Sequence, residues 1–156
     1  MDADIRVGTC SWKFDSWEGL VYSEQAKVNY LKEYAQHFNT VEIDQWFWSL
    51  FGEEKVSLPK PEVVQEYVES VPEDFTFSIK VPNSITLTHF YRKQKRDPLQ
   101  ENPHFLSVAL FQQFLDTLQP MREQLGPLMF QFEYLNKQKM PSLNTFLQQF
   151  GAFIAQ

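Results

Sequence analysis

Glu42 and Asp44 stand two residues apart in the segment Thr40-Val41-Glu42-Ile43-Asp44. In an extended strand that spacing places both carboxylates on one face, where they suit general acid/base chemistry or a divalent cation. Lys80 closes a second alternating segment, Phe75 to Lys80. Its ammonium can anchor an anionic substrate or, with a lowered pKa, serve as a base or Schiff-base amine. His89 lies in the loop beyond and suits a general base or a metal ligand. Structural alternatives stand beside each role. For Glu42 an internal ion-pair network with Arg6 and Lys80 is the stronger reading, since unpaired buried charge is costly, and Lys80 can equally be a partner of Glu42 or Glu133. A lone His is more often a hydrogen-bonding loop residue than a ligand.

Two further groups surround these residues. Trp12, Trp17, Trp46 and Trp48 follow the first two strand signals, and clustered rings suit stacking on a sugar or a base, although rings are more often core material. Cys10-Ser11 offers a nucleophile on paper, but a small buried turn is the simpler reading. Ser11, Trp12, Trp46, Ser78 and Gln131 are accordingly the expected substrate-binding residues, with Glu42, Asp44, Lys80 and His89 as the expected catalytic set. No phosphate-cradling glycine-rich loop, zinc pattern or dinucleotide fingerprint is present among only 5 Gly, so neither a cofactor nor a metal follows from the sequence.

The elements that must carry these residues alternate. Ile5–Thr9, Thr40–Asp44, Phe75–Lys80 and Leu128–Phe132 read as strands. Helical spacing of apolar residues marks about residues 25–38, the stretch entered at Pro59 and Pro61, 105–118, and the run from Leu143 to Ile154. Residues 82–103 read as a long polar stretch. Strand and helix alternating four times without a hairpin signal implies parallel strands with crossover helices.

Parity separates the remaining architectures. Ile5, Val7, Val41, Ile43, Phe75, Phe77, Ile79, Leu128, Phe130 and Phe132 form one apolar set. Arg6, Gly8, Glu42, Asp44, Thr76, Ser78, Lys80, Met129, Gln131 and Glu133 form the other, small or polar set. A sheet with helices on both faces reads as continuous apolar runs, so this alternation predicts helices on one face and a polar lumen on the other. The expected fold is a TIM-type parallel β/α barrel, a single domain spanning 1–156. It would comprise only the first four β/α units, because roughly 250 residues and eight strands close such a barrel.

Several of these segments together resemble the YecE-like family (domain of unknown function seventy-two). Val7-Gly8-Thr9-Cys10-Ser11-Trp12 with Trp17 and Tyr22 is similar to its opening, and Tyr34-Ala35 with Phe38-Asn39-Thr40-Val41-Glu42-Ile43 to its second-strand signature. Pro72-Glu73-Asp74-Phe75 with Phe77, Lys80 and Pro82, the Thr88-His89 pair, and Leu125-Gly126-Pro127 with Phe130-Gln131 continue the likeness from about residue 5 to residue 150. The resemblance implies a TIM-type barrel and no particular reaction. This chain departs from the pattern at Asp44-Gln45-Trp46-Phe47-Trp48 and at Glu133-Tyr134, both pocket-facing places.

Composition bounds the partners. The 156 residues carry a formal net charge of -6, which offers no broad attraction for phosphate backbones or anionic membranes. The basic run Arg92-Lys93-Gln94-Lys95-Arg96 stands against that average and reads as a solvated loop. One cysteine excludes an intrachain disulfide, and neither a signal peptide nor a membrane-length apolar run is visible, which predicts a cytoplasmic setting. The expected function is hydrolase or isomerase chemistry on a small polar, sugar-like or anionic substrate at the C-terminal strand ends. The rival readings are a nucleic-acid-processing barrel and a non-catalytic scaffold that self-associates through open sheet edges.

Overall fold

The computed structural model describes residues 5–24, 27–52 and 55–156. They divide into two compact units. A sheet unit takes in the chain up to Gln45 together with Pro59–Lys80 and Thr117–Met129; a second unit takes in Trp46–Leu58, Val81–Asp116 and Phe130–Gln156.

The sheet unit is built on three parallel strands, β1 (Thr40–Ile43), β2 (Thr76–Lys80) and β3 (Leu125–Met129), in the order β1-β2-β3. Thr40 faces Thr76 and Glu42 faces Ser78 across the first pair. Val41, Ile43, Phe77 and Ile79 are buried on one side, whereas Thr40, Glu42, Thr76, Ser78 and Lys80 are half-buried on the other. The alternation read from the sequence is therefore the alternation of the two faces. Helix α1 (Tyr30–Tyr34) precedes β1, and α2 (Pro61–Glu69) precedes β2. Pro61 sits in the first turn of α2, where its missing N–H costs nothing. The Asn29 side chain accepts from the Lys32 N–H and starts α1 there.

Three expectations are corrected. The helix expected over 25–38 is confined to Tyr30–Tyr34 and followed by turns; residues 25–26 lie outside the described residues. The strand expected at Ile5–Thr9 forms only a single parallel bridge, Cys10 to Glu42, with Ile5 and Val7 exposed, so the sheet has three strands rather than four among the described residues. That segment still lies against β1: the Glu42 N–H donates to the Thr9 carbonyl and the Ser11 N–H to the Glu42 carbonyl, each at 3.0 Å. A side chain at Gly8 would put a Cβ 2.0 Å from the Thr40 carbonyl oxygen, so only glycine allows this approach. The third correction is a shift of the last strand from 128–132 to Leu125–Met129. Its register slips between Phe77 and Ile79, where Leu125 to Leu128 spans one residue more than the partner does. Pro127, which has no N–H to give a ladder, falls inside that irregularity on an outer strand.

The second unit holds α3 (Asn83–Thr86), all but the last residue of α4 (Val108–Thr117), and α5 (Leu143–Ile154). Ser142 caps α5 by accepting the Thr145 N–H at 3.1 Å. Phe130 and Phe132, read from sequence as strand residues, lie beyond the strand and pack against helix rings. Ring centroids lie 5.4 Å apart for Phe130 and Phe150, 4.8 Å for Phe132 and Phe146, and 5.6 Å for Phe111 and Phe130. The apolar stripe of α5 is consequently split: Phe146, Phe150 and Phe153 join this cluster, while Leu143, Leu147 and Ile154 are exposed. The stretch read as polar does not all face solvent, because Val81 to His89 is buried throughout. No described helix is long and apolar enough to cross a membrane.

Candidate functional site

The polar face of the sheet gathers charge at the C-terminal ends of β1 and β2. The Lys80 ammonium lies 3.2 Å from Glu42 Oε1, and the two side chains keep 16% and 19% of their surface. Ser78 sits opposite Glu42 in the register and donates to the Val41 carbonyl at 3.4 Å, a long contact. Asp44 follows directly on β1 and is half-buried. The parallel bridge at Glu42 delivers Cys10, whose Sγ is 3.5 Å from both Glu42 Oε1 and Asp44 Oδ2. The two carboxylate oxygens are thus no farther apart than twice that distance. Ser11, next in the chain, has a φ of 68°, a left-handed conformation that L side chains adopt rarely.

This geometry decides what the thiol is. Burial, then the neighbouring charges of Asp44 and Glu42, push Cys10 from 9.0 up to about 11. At neutral pH it is a neutral donor lying between two carboxylates and a poor nucleophile. It is also exposed, so the small buried turn expected at Cys10-Ser11 is corrected. Iodoacetamide at about pH 8 is expected to alkylate Cys10 in the folded protein at least tenfold more slowly than in the urea-unfolded chain, because the thiolate fraction falls tenfold per pKa unit. Asp44→Asn should recover part of that rate. A folded-state rate equal to the unfolded one would remove the carboxylates from the neighbourhood of the thiol. The linkage has a definite sign: a folded pKa above the unfolded one gives stability that is present below about pH 9 and lost as pH rises towards 11.

Other expected site residues are placed elsewhere. Trp12 is 1% exposed, with its ring edge-on to Tyr67 at 5.0 Å, so no face of the indole is left open for stacking. Trp12 also lines an open cleft of about 530 Å³, together with Lys13, Lys27, Asn29 and Glu66. Trp46 is half-buried and Gln131 exposed, both in the second unit. Trp48 is exposed beside Tyr91, at a ring distance of 6.4 Å. Arg92 closes its own loop by donating to the Lys95 carbonyl, and the Asp97 carboxylate takes the Gln94 N–H. Arg6 donates to the Asp74 carbonyl. His89 is buried in the second unit with Nδ1 2.9 Å from Thr88 Oγ1. Glu133, read as a possible partner of Lys80, is ion-paired with Lys139. No cluster of three or more His, Cys, Asp or Glu among the described residues is arranged to hold a metal ion.

Sequence reasoning found Glu42, Asp44, Ser78 and Lys80 on one face through parity alone. It missed the contact of Cys10 with both carboxylates, which depends on a bridge between segments 32 residues apart. It named Thr88 and Glu133 but missed their contact with each other and the pairing of Glu133 with Lys139, which no local spacing marks.

Comparison with known proteins bears on what this arrangement belongs to. A family model described as "Protein of unknown function DUF72" matches residues 6–155. The UPF0759 protein YecE of Escherichia coli (strain K12) is 34% identical over 82 residues, which is 53% of this chain and 25% of that protein; the protein of the same name from Escherichia coli O157:H7 gives the same figures. Among solved structures, a DUF72 family protein from Enterococcus faecalis V583 aligns with a TM-score of 0.57 and 23% identity, over 93% of this chain and 46% of that one. A DUF72 family protein from Thermotoga maritima MSB8 aligns with the same TM-score and identity, over 92% of this chain and 51% of that one. The chain therefore spans about half the length of these solved relatives, and with its match running from residue 6 to residue 155 it belongs to the DUF72 family, whose function is unknown.

Proposed function

We propose that the sheet unit is the opening part of a TIM-type parallel β/α barrel, and that its polar face forms the floor of a site for a small hydroxylated or anionic substrate. Support for the barrel comes from the strand order. A doubly wound sheet reverses direction at a switch point, whereas here the segment at Cys10, then β1, β2 and β3, lie side by side in chain order and all run parallel. Barrel enzymes work at C-terminal strand ends, and the observation that carries the reading is the gathering of Cys10, Glu42, Asp44 and Lys80 there.

The roles follow from the contacts. Glu42 is committed to Lys80, so the pair supplies a positive anchor whose charge is locally balanced. Asp44 is the carboxylate placed to exchange a proton with a substrate hydroxyl, with the Cys10 thiol donating to it in the free protein. Ser78 and Ser11 supply neutral hydrogen-bonding groups beside them. Hydrolysis or isomerisation of a sugar-like or anionic compound is the chemistry that such a carboxylate and cation serve.

The test is a thermal-shift screen of the protein against sugars, sugar phosphates and small carboxylates. A ligand at a hundred times its Kd stabilises by about 2.7 kcal/mol, which raises Tm by roughly 5–10 °C in a chain of this size. Asp44→Asn and Lys80→Met are expected to abolish that shift. A full panel without a hit, or variants that keep the shift of the parent, would refute the site.

A further inference from the structure

Thr88 and His89 are held by backbone on both sides. The Asn102 N–H donates to the Thr88 carbonyl and the Phe90 N–H to the Gln100 carbonyl, each at 2.9 Å, with an antiparallel bridge between His89 and Glu101. The Asn102 side-chain amide donates to the Ser84 and Leu87 carbonyls at 2.8 and 2.7 Å, fixing the chain just upstream. On this frame His89 is 8% exposed as a residue, and Nδ1 meets Thr88 Oγ1 at 2.9 Å. The same hydroxyl lies 3.3 Å from Glu133 Oε1, and Glu133 is ion-paired with Lys139.

A threonine hydroxyl has one proton to give. An ionised carboxylate only accepts, so the Thr88–Glu133 contact requires the hydroxyl proton to point at Glu133, although 3.3 Å is long for such a bond. The opposite arrangement, with the hydroxyl donating to Nδ1, would leave two oxygen lone pairs facing each other at that distance. With the proton on the Glu133 side, the Thr88 oxygen accepts, and Nδ1 of His89 must be the nitrogen that carries hydrogen. The tautomer thus follows from the partners rather than from an observed hydrogen. Nε2 is left as the lone-pair nitrogen. Among the described residues it has no hydrogen-bond partner, and it is not one of the sealed unpaired atoms, which are Thr86 Oγ1, His104 Nε2 and Gln124 Oε1.

We propose that Glu133, Thr88 and His89 form a hydrogen-bonded relay that locks His89 in the Nδ1–H tautomer and presents Nε2 as a proton acceptor for a water or hydroxyl-bearing ligand. The ligand O–H bond breaks, the proton passes to Nε2, and the electron pair stays on the ligand oxygen. The resulting imidazolium keeps its Nδ1–H directed at the Thr88 oxygen, and the hydroxyl proton stays on Thr88 Oγ1, directed at the Glu133 carboxylate. Thr88 and Glu133 are positioning residues, and the ion pair with Lys139 fixes where the Glu133 carboxylate sits. This site lies in the second unit and stands whether or not the carboxylate cluster at β1 binds anything.

Long-range nitrogen–proton NMR of the uniformly labelled protein at about pH 8.5, above the ordinary imidazole range, reads the tautomer directly. His89 is expected to show a protonated Nδ1 and an unprotonated Nε2. Thr88→Ser should preserve that pattern, and Thr88→Val should convert it to the Nε2–H form that predominates in free histidine. Diethyl pyrocarbonate, which acylates an unprotonated imidazole nitrogen, should modify His89 in the folded protein, with a several-fold slower rate in Thr88→Val. An Nε2–H pattern in the parent, an unchanged pattern in a folded Thr88→Val, or a His89 that resists the reagent would each overturn the proposal. If Thr88→Val does not fold, the parent and Thr88→Ser spectra decide it.

Discussion

Phe77→Ala is expected to lower the unfolding free energy by about 3–5 kcal/mol, the range for deleting a large buried aromatic. Phe77 is fully buried on β2, the middle strand, opposite Val41 on one side and Leu125 on the other, with its ring 5.2 Å from that of Phe75. Strands on both sides leave the backbone little freedom to collapse into the cavity, which is what drives the cost toward the upper end. Against a total of about 5–15 kcal/mol for a typical domain, such a loss is visible at once. In urea titration the midpoint should fall while the slope stays constant. Ser78→Ala, one residue on and facing the other way, should change stability by less than about 1 kcal/mol. Equal effects at the two positions would mean that the faces are not divided as the register states.

Asn83→Ala is the second large effect, expected at about 2–5 kcal/mol. Asn83 is 1% exposed, and its Oδ1 accepts the backbone N–H of Ser49 and of Leu50 at 3.0 Å each, with the Ser49 hydroxyl at 3.1 Å. Truncation removes one acceptor and orphans two backbone donors, each costing about 1–3 kcal/mol when left buried and unpaired. Hydrogen exchange locates the effect: the amides of Ser49 and Leu50 should lose protection ahead of the rest of the second unit. Unchanged protection at those two amides would show that Asn83 is not their acceptor in solution.

These two residues also mark how far the sequence carries. Phe77 was legible because strict alternation over Phe75 to Lys80 leaves one reading, and the same logic set Glu42, Ser78 and Lys80 on a common face. The last helix was legible for similar reasons: apolar residues at helical spacing from Leu143 to Ile154 mark α5, as Pro61 marks the entry to α2. Asn83 was misread. Asn, Ser, Thr and His from 83 to 89 look like a solvated loop by type, yet in the fold each polar group that is satisfied inside replaces a water. Phe130 and Phe132 show the converse case, since alternating rings read as a strand although their partners are helix rings rather than a sheet ladder.

What the residues determine by themselves is the set of local periodicities: parallel strands joined by helices, one apolar and one polar face, and a pair of carboxylates with a lysine on the polar one. Period and parity are properties of short segments and need no knowledge of distant chain. What only the tertiary structure decides is which groups meet across the gaps, namely Cys10 with Glu42 and Asp44, and His89 and Thr88 with Glu133. The physical reason is that proton location and pKa depend on atoms within a few ångströms, and those atoms come from residues 32 to 45 positions away whose approach is set by packing rather than by sequence spacing.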